Sequence, residues 1–479
     1  MTTTVTTTKV VKTTKDAADA LTDRSGDITC LYKSSFTEFD EGLDEAFKSP
    51  KQRVTLTSKS GQAFSTQKDQ ILLTPIPITD GWYDLSSLSY ELDVRVTETE
   101  AANVQPANYA SGTAATYIAL QNGGQLFNQL LDVSIKLCGQ PVQGSGEFGW
   151  VWDTVTKYMS SVETVSSAGL AEGFVPDVGP ANVRADANTG YVARAQLIRA
   201  TTAGQAAGAV RFTGKVNLPF LTGNKQLVYL RNAEDLTINV TLRRAGDPDC
   251  IEQDFSAAAF RWIENLTFKI DRYDLSDALN NLLLREIQVR PQVLIYPDMK
   301  VEHFQVAACT NNMTDISISN GKIDGLIVGY QATDAVNRRQ FTQCHVASVQ
   351  VKRKQTLYPT EAYQPNFTAK TLRQWMGAYF DFIHGAGDML NSNGTIITPN
   401  LYSDSQVLYF FDLRKSNAGL PEKQEVTADG KSGDIVKITT KFTQQTAADM
   451  YVIILSTGKI KYSAKSNNAQ MEYIQGCYP

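Results

Sequence analysis

The sequence predicts an all-β protein built as two tandem antiparallel domains, with a few short helices between and beside them. Three observations carry this: long stretches of strict apolar–polar alternation, turn-forming clusters that separate them, and an echo of one strand pattern in the second half. Strand side chains alternate between faces, so a period of two marks a strand with one buried and one solvated side.

"LDVSIKLCGQPV" sets Val133, Ile135 and Leu137 against Asp132, Ser134 and Lys136. "LTINVTLRR" sets Leu236, Ile238, Val240 and Leu242 against Thr237, Asn239, Thr241 and Arg243. "ENLTFKIDRY" places Leu266, Phe268 and Ile270 together, and "DIVKITTKF" places Val436, Ile438 and Phe442 opposite Lys437, Thr439 and Lys441. Between such runs lie "QNGG", "GQPVQGSG", "RAGDPD", "NSNG" and "ADGKSGD", whose Gly, Asn, Asp and Pro residues suit turn backbones. The echo pairs "LTINVTLRR…FRWIENLTFKIDRY" with "IVKITTKF…ADMYVIILSTGKIKYS": an alternating strand, a polar loop, then a longer apolar strand. It points to a duplicated β-domain.

Residues 1–27 are Thr-rich and carry Lys9, Lys12 and Lys15; such a composition buries too little to order itself, so a flexible arm is expected. Phe36, Phe39, Leu43 and Phe47 then recur at near-helical spacing among acidic residues, predicting a short amphipathic helix. Its acidic residues lack the order of a calcium loop. Residues 143–210, rich in Gly, Ala, Ser and Thr, read as a long decorated loop. Leu275, Leu279, Leu282 and Leu283 make one helical stripe, and Leu372, Trp375, Met376, Tyr379, Phe380 and Ile383 a stronger one that Gly385 is placed to end.

The 479 residues allow two or three domains, and a 42% apolar, 20% charged composition allows a large core. A net charge of -5 argues against a broad grip on nucleic acid or an acidic membrane. No apolar run reaches the ~20 residues of a spanning helix, and the "MTTTVTTTKVVKTTKD" start lacks a signal peptide's apolar core. The expectation is a soluble protein made inside the cell. Six cysteines, Cys30, Cys138, Cys250, Cys309, Cys344 and Cys477, are dispersed with no C-x-x-C pair, so free thiols are expected rather than a zinc site. On a strand, adjacent Cys344 and His345 would face opposite ways. The sequons at Asn239 and Asn312 read as chance matches.

No catalytic constellation emerges. His303, His345 and His384 do not sit at metal-ligand spacing. "QGSGEFG" around Ser145 has the wrong spacing for a nucleophile elbow. Gly430-Lys431-Ser432 ends like a phosphate loop, but position 425 is Glu425 where the first glycine belongs, and a strand follows. The 20 Tyr, 20 Phe and 5 Trp lack a basic setting and suit a core and subunit contacts better than base stacking. No catalytic, cofactor-binding or metal-ligating residue is assigned, and no cofactor.

"YFFDLRKSN" (409–417) closes a strand with Tyr409, Phe411 and Leu413 on one face and Phe410, Asp412 and Arg414 on the other, where Asp412 and Arg414 are close enough to pair. With "MGAYFDFIHGAGDML" before it and "DIVKITTKFTQQTAADMYVIILS" after it, this stretch resembles the C-terminal jelly roll of hexon-like double jelly-roll major capsid proteins. The flavour is that of Polinton/Maverick elements, adintoviruses and polinton-like viruses. The matching positions are Tyr379, Phe411-Asp412-Leu413, Gly433 through Phe442, and Met450 to Leu455; the ending "TGKIKYS" departs from the more acidic family ending. The resemblance covers roughly residues 370–460.

It implies two tandem eight-stranded antiparallel jelly-roll barrels. Their bounds would be an arm and short helix at 1–49, a first barrel at 50–273, a helical connector at 274–290, and a second barrel at 291–479. "YFFDLR" would be an inner strand of the second barrel, leaving the core at Asp412. The resemblance further implies a non-enzymatic virion protein, made in the host cytoplasm or nucleus. It would form homotrimers that become pseudo-hexagonal capsomers of an icosahedral shell around DNA. Its partners would be neighbouring capsomers and penton and minor capsid proteins, with at most weak contact with packaged DNA. Two other readings are a vertex or attachment β-sandwich protein that binds a receptor or glycan, and a β-rich hydrolase.

Overall fold

The computed structural model describes residues 51–57, 71–75, 80–97, 119–177, 188–199, 206–223, 227–231, 235–242, 251–252, 260–289, 292–318, 323–333, 340–367, 373–390, 392–414, 434–463 and 468–474. The N-terminal arm, the Phe36–Phe47 helix and Gly430-Lys431-Ser432 lie outside them.

The first half contributes β1 (Gln52–Thr57), β2 (Ile71–Pro75), β3 (Gly81–Thr97), β4 (Ala119–Leu120), β5 (Leu131–Leu137), β6 (Gln140–Gly144), β7 (Val210–Lys215), β8 (Leu227–Leu230), β9 (Leu236–Leu242), β10 (Ile251–Glu252) and β11 (Phe260–Tyr273). The second contributes β12 (Gln292–Ile318), β13 (Gly325–Ala332), β14 (Val346–Arg353), β15 (Thr356–Tyr363), β16 (Leu408–Asp412), β17 (Asp434–Ser463) and β18 (Asn468–Ile474). Every ladder between named strands is antiparallel, and none joins a strand of one half to a strand of the other among the described residues.

The first half makes two sheets, β1-β11-β3-β7 with β8 also on β3, and β2-β9-β5-β6. The second half is a single hydrogen-bonded sheet, because two very long strands run through both of its layers. β12 and β17 pair over residues 292–306 with 448–462, and again over 311–318 with 434–441, with register shifts at Val306, Cys309 and Asn311. Such bulges bend a strand and let it pass from one layer to the next. Divided at that bend, the strand orders are 292–306, 448–463, β13, β16 and 311–318, 434–442, β14, β15. These match the two first-half sheets position for position. The strands of the sequence echo, β9 with β11 and the two parts of β17, occupy equivalent places. The polar loop expected between the latter two is instead part of one continuous strand.

Burial follows the alternation. In β5, Leu131, Val133, Ile135 and Leu137 are buried while Asp132, Ser134 and Lys136 are half-buried. In β17, Val436, Ile438 and Phe442 face inward. β13 and β16 are different: Leu326, Ile327, Val328 and Tyr330, like Tyr409, Phe410 and Phe411, are buried on both faces. Among the described residues β16 pairs with β13 alone and ends its row rather than lying inside it. Asp412 is half-buried and receives a fork from Arg414, with Nη2–Oδ2 at 2.7 Å and Nε–Oδ1 at 3.0 Å. The chain still buries Leu413 before turning away.

Helices cover these doubly buried strands, so the chain is mostly β rather than all-β. The helical stretch at 376–389 does not stop at Gly385, which sits inside a wide turn, Phe382–Ala386, between two α segments. Glycine is needed there for another reason: a Cβ would stand 2.5 Å from the Phe410 ring. The Leu-rich stretch forms the helix Asp277–Val289, with Leu279, Leu283 and Ile287 buried.

Segment 143–210, expected to be a loop, holds helices at Gly149–Tyr158, Val162–Glu172 (interrupted by a wide turn) and Thr189–Leu197. Cys344 and His345 do not lie on a strand; both have positive φ, 41° and 54°, in the turn before β14.

Among the described residues four edge strands carry a proline, Pro75 in β2, Pro141 in β6, Pro297 in β12 and Pro359 in β15. On the outer face of β3, Asp93 accepts Arg211 Nε at 2.7 Å and Nη2 at 2.9 Å, and Asn265 Nδ2 at 2.9 Å. The Arg211 hydrogen bond chiefly holds this carboxyl below its ordinary 3.8. A depressed pKa stabilises the fold above pH 3.8, and that contribution is lost as pH falls through the folded-state value. Asp93→Asn should therefore have a lower urea midpoint than the parent at neutral pH. The gap should close on acidification below that point; a gap that persists in acid would refute the linkage.

Candidate functional site

The residues singled out by chemistry do not gather. Ser145 Oγ donates to Asp132 Oδ1 at 2.6 Å and accepts the Val133 N–H at 2.9 Å, so it is a buried strand tie. His303 Nε2 lies 3.0 Å from Asp449 Oδ1, far from the exposed His345 and from His384, whose ring packs on Phe380. Cys138, Cys309 and Cys344 are free thiols. Among the described residues, no three His, Cys, Asp or Glu side chains are grouped to hold a metal.

The most elaborate construction is the seam between the halves, built largely by the helical insertion. In the Gly149–Tyr158 helix, Val151, Val155 and Tyr158 recur four and three residues apart and are buried, as are Trp150 and Trp152 on either side of them. Trp150 stacks on Phe341 at 6.2 Å and meets Tyr451 edge-on at 5.2 Å, both from the second half. Phe148 packs on His303 at 5.0 Å and on Tyr451 at 5.8 Å.

At the other helix end, the Tyr158 carbonyl accepts the Ile396 N–H at 3.0 Å and the Thr395 hydroxyl at 3.0 Å, and the Met159 carbonyl accepts from Ser392 Oγ. Gln143 Nε2 donates to Asp298 Oδ1 at 2.8 Å, and Phe220 meets Tyr296 edge-on at 4.9 Å.

Deeper in the seam is an ion pair, Arg194 Nη1 to Asp177 Oδ1 at 2.7 Å, with side chains 1% and 2% exposed. Asp177 Oδ2 also accepts Asn122 Nδ2 at 2.8 Å and Gln340 Nε2 at 3.0 Å, the latter from the second half. Arg194 Nε donates to the Leu120 carbonyl at 2.9 Å and Nη1 to the Val175 carbonyl at 2.8 Å. Tyr158, whose hydroxyl donates to Asn122 Oδ1 at 2.8 Å, has its pKa pushed up, first by burial and then by Asp177. A buried pair needs such additional hydrogen bonds to offset desolvation.

A cleft of about 320 Å³ opens on the seam beside Trp152, Thr156, Asn217, Pro297 and Met389, and no titratable side chain lines it. It offers shape and hydroxyls but no acid, base or activated nucleophile. A second cleft, about 340 Å³, lies where the first half meets the Asp277–Val289 helix, beside Asp80, Tyr229, Arg272, Asp274 and Asp277. There Arg272 Nη2 is 2.8 Å from Asp274 Oδ1, and the Tyr229 hydroxyl donates to Asp80. Two of the acidic groups of this cleft, Asp274 and Asp80, are thus engaged by Arg272 and Tyr229.

No family model and no curated protein sequence matches the chain. Solved structures do. A chain of the Sputnik virophage superposes with a TM-score of 0.53 at 12% identity, covering 89% of this chain and 89% of that one. The mavirus major capsid protein gives 0.48 at 11% identity over 89% and 91%, and the Faustovirus major capsid protein 0.49 at 8% over 86% and 90%. The Sputnik likeness is one of fold, and it runs through both halves.

Proposed function

We propose that this chain is a major capsid protein, a structural subunit of an icosahedral shell around a DNA genome. The observation that carries the reading is the repeated strand order: each half supplies two rows in which four strand positions follow in the same order, as the paired sheets of an eight-stranded jelly roll would require. The Sputnik likeness over both halves supports it. So does the seam, which fixes the halves to each other through buried aromatic contacts and a hydrogen bond from Gln340 to Asp177.

In this reading the barrels are 50–273 and 291–479, joined by a helical connector at 274–290 and preceded by the arm at 1–49. Three chains assemble about a threefold into a capsomer with six barrels, a pseudo-hexagonal tile. Neighbouring capsomers, penton and minor capsid proteins are its partners, and its place is the virion. The lineage is the Polinton/Maverick-like one that the 370–460 stretch resembles. No enzymatic step belongs to the proposal.

Light scattering of the purified protein, with negative-stain images of the same fraction, tests it. The expected result is a three-chain species that looks six-cornered end-on. A compact monomer without that outline would overturn the capsomer and favour the attachment-protein reading.

A further inference from the structure

Each half carries helices between the same two strands of its repeat. The first insertion runs from β6 to β7 and the second from β15 to β16, strands that hold equivalent places in the two halves. The first insertion reaches out of its own half: Phe148 packs on His303 of β12, and Trp150 on Tyr451 of β17. The second insertion keeps a comparable aromatic in the open. Along its helical stretch Gly377, Phe380, Asp381, His384 and Asp388 are exposed, at spacings that set them on one face. Phe380 is 58% exposed, its ring centroid lies 4.2 Å from that of His384, and a Cβ at Gly377 would meet no atom. The opposite face is anchored by the buried Ala378, Phe382 and Met389, so the exposed ring stands on a fixed support. A large aromatic presented in this way is the common form of an interface anchor.

We propose that Phe380 and His384 seat on the outer face of β1 and β11 in a second copy of this chain. The inference rests on the capsomer reading above and names the surface that joins its subunits. The internal repeat supplies the occupant. In the first half, β1 and β11 hold the places that the 292–306 and 448–463 stretches hold in the second. Those stretches carry His303 and Tyr451, the residues that the first insertion covers. In a ring of six barrels each insertion reaches the next barrel, so the second insertion meets β1 and β11 of a neighbouring chain, and the head-to-tail contact closes. Charge agrees with this pairing. Asp381 and Asp388 flank Phe380, while the outer side of β1 presents Lys51 and Arg53 with side chains 61% and 58% exposed. Within their own chain Lys51 donates to Asp271 at 3.0 Å and Arg53 to Ser89 Oγ at 2.7 Å, contacts that leave both cations at the surface.

Light scattering of the full chain and of Phe380→Lys over a range of concentrations tests the contact, with circular dichroism to compare their folds. The variant removes the ring and sets a cation opposite Lys51 and Arg53. The expected result is a trimeric parent and a folded variant that needs about tenfold or more higher concentration to associate. A variant as trimeric as the parent overturns the contact and leaves the capsomer standing; a monomeric parent overturns both. A photoreactive benzoylphenylalanine at position 380, which keeps an aromatic there, gives a second test. Irradiation should yield a two-chain adduct on a denaturing gel, with position 380 joined to residues 51–57 or 264–272. No adduct from a trimeric sample, or one joined elsewhere, overturns the contact.

Discussion

Replacing Asp177 by alanine is expected to destabilise the folded chain by about 3–5 kcal/mol, among the largest losses a single side chain can cause. The reason is the residue left behind. Arg194 is 1% exposed, so without Asp177 its charge stays in the interior without its carboxylate, beside neutral groups such as the Leu120 and Val175 carbonyls. Asn122 and Gln340 also each lose an acceptor. Chemical denaturation followed by intrinsic fluorescence gives the shift in midpoint. The paired change Asp177→Leu with Arg194→Met should recover part of the loss, since it removes both charges but orphans two carbonyls. An Asp177→Ala midpoint equal to the parent's would show that the ion pair does not hold the seam.

Trp150→Ala should cost about 3–5 kcal/mol, the range for removing a large buried aromatic from a packed core. The indole is 5% exposed and touches Phe341 and Tyr451, so the cavity it leaves lies between the two halves rather than inside one. The expected signature is separation of one unfolding transition into two, because the contact removed couples the halves. Trp150→Phe keeps an aromatic surface and should retain most of the stability. A single unshifted transition in the alanine variant would show that the insertion does not couple them.

The strands were legible because their chemistry is local. Asp132, Ser134 and Lys136 alternate with Val133, Ile135 and Leu137 whatever the rest of the chain does, and the structure pairs and buries them accordingly. The seam was not legible, because its contacts join distant parts of the sequence: Gln340 to Asp177, Thr395 to Tyr158, Phe341 to Trp150.

By composition residues 143–210 read as a loop, because Gly, Ala, Ser and Thr dominate them. The helical signal is nonetheless present in Val151, Val155 and Tyr158, an i, i+4, i+7 stripe flanked by Trp150 and Trp152 in the ten-residue helix observed. Gly385 misled in another way. Glycine near the end of an apolar helix usually marks its C-terminus, but here it makes room for Phe410, a neighbour no local rule reveals.

The prolines at positions 75, 141 and 359 bear on life at high concentration. An exposed strand edge is a template on which a second chain can add, and proline lacks the N–H such addition uses. In the shell proposed above, subunits accumulated in quantity before closure would meet each other constantly, and an open edge would let those encounters nucleate fibres. With β2, β6 and β15 interrupted in this way, productive association is steered toward side-chain surfaces and loops. Contacts of that kind dissociate and re-form, so in the proposed shell a misplaced subunit could be released and the lattice could correct itself.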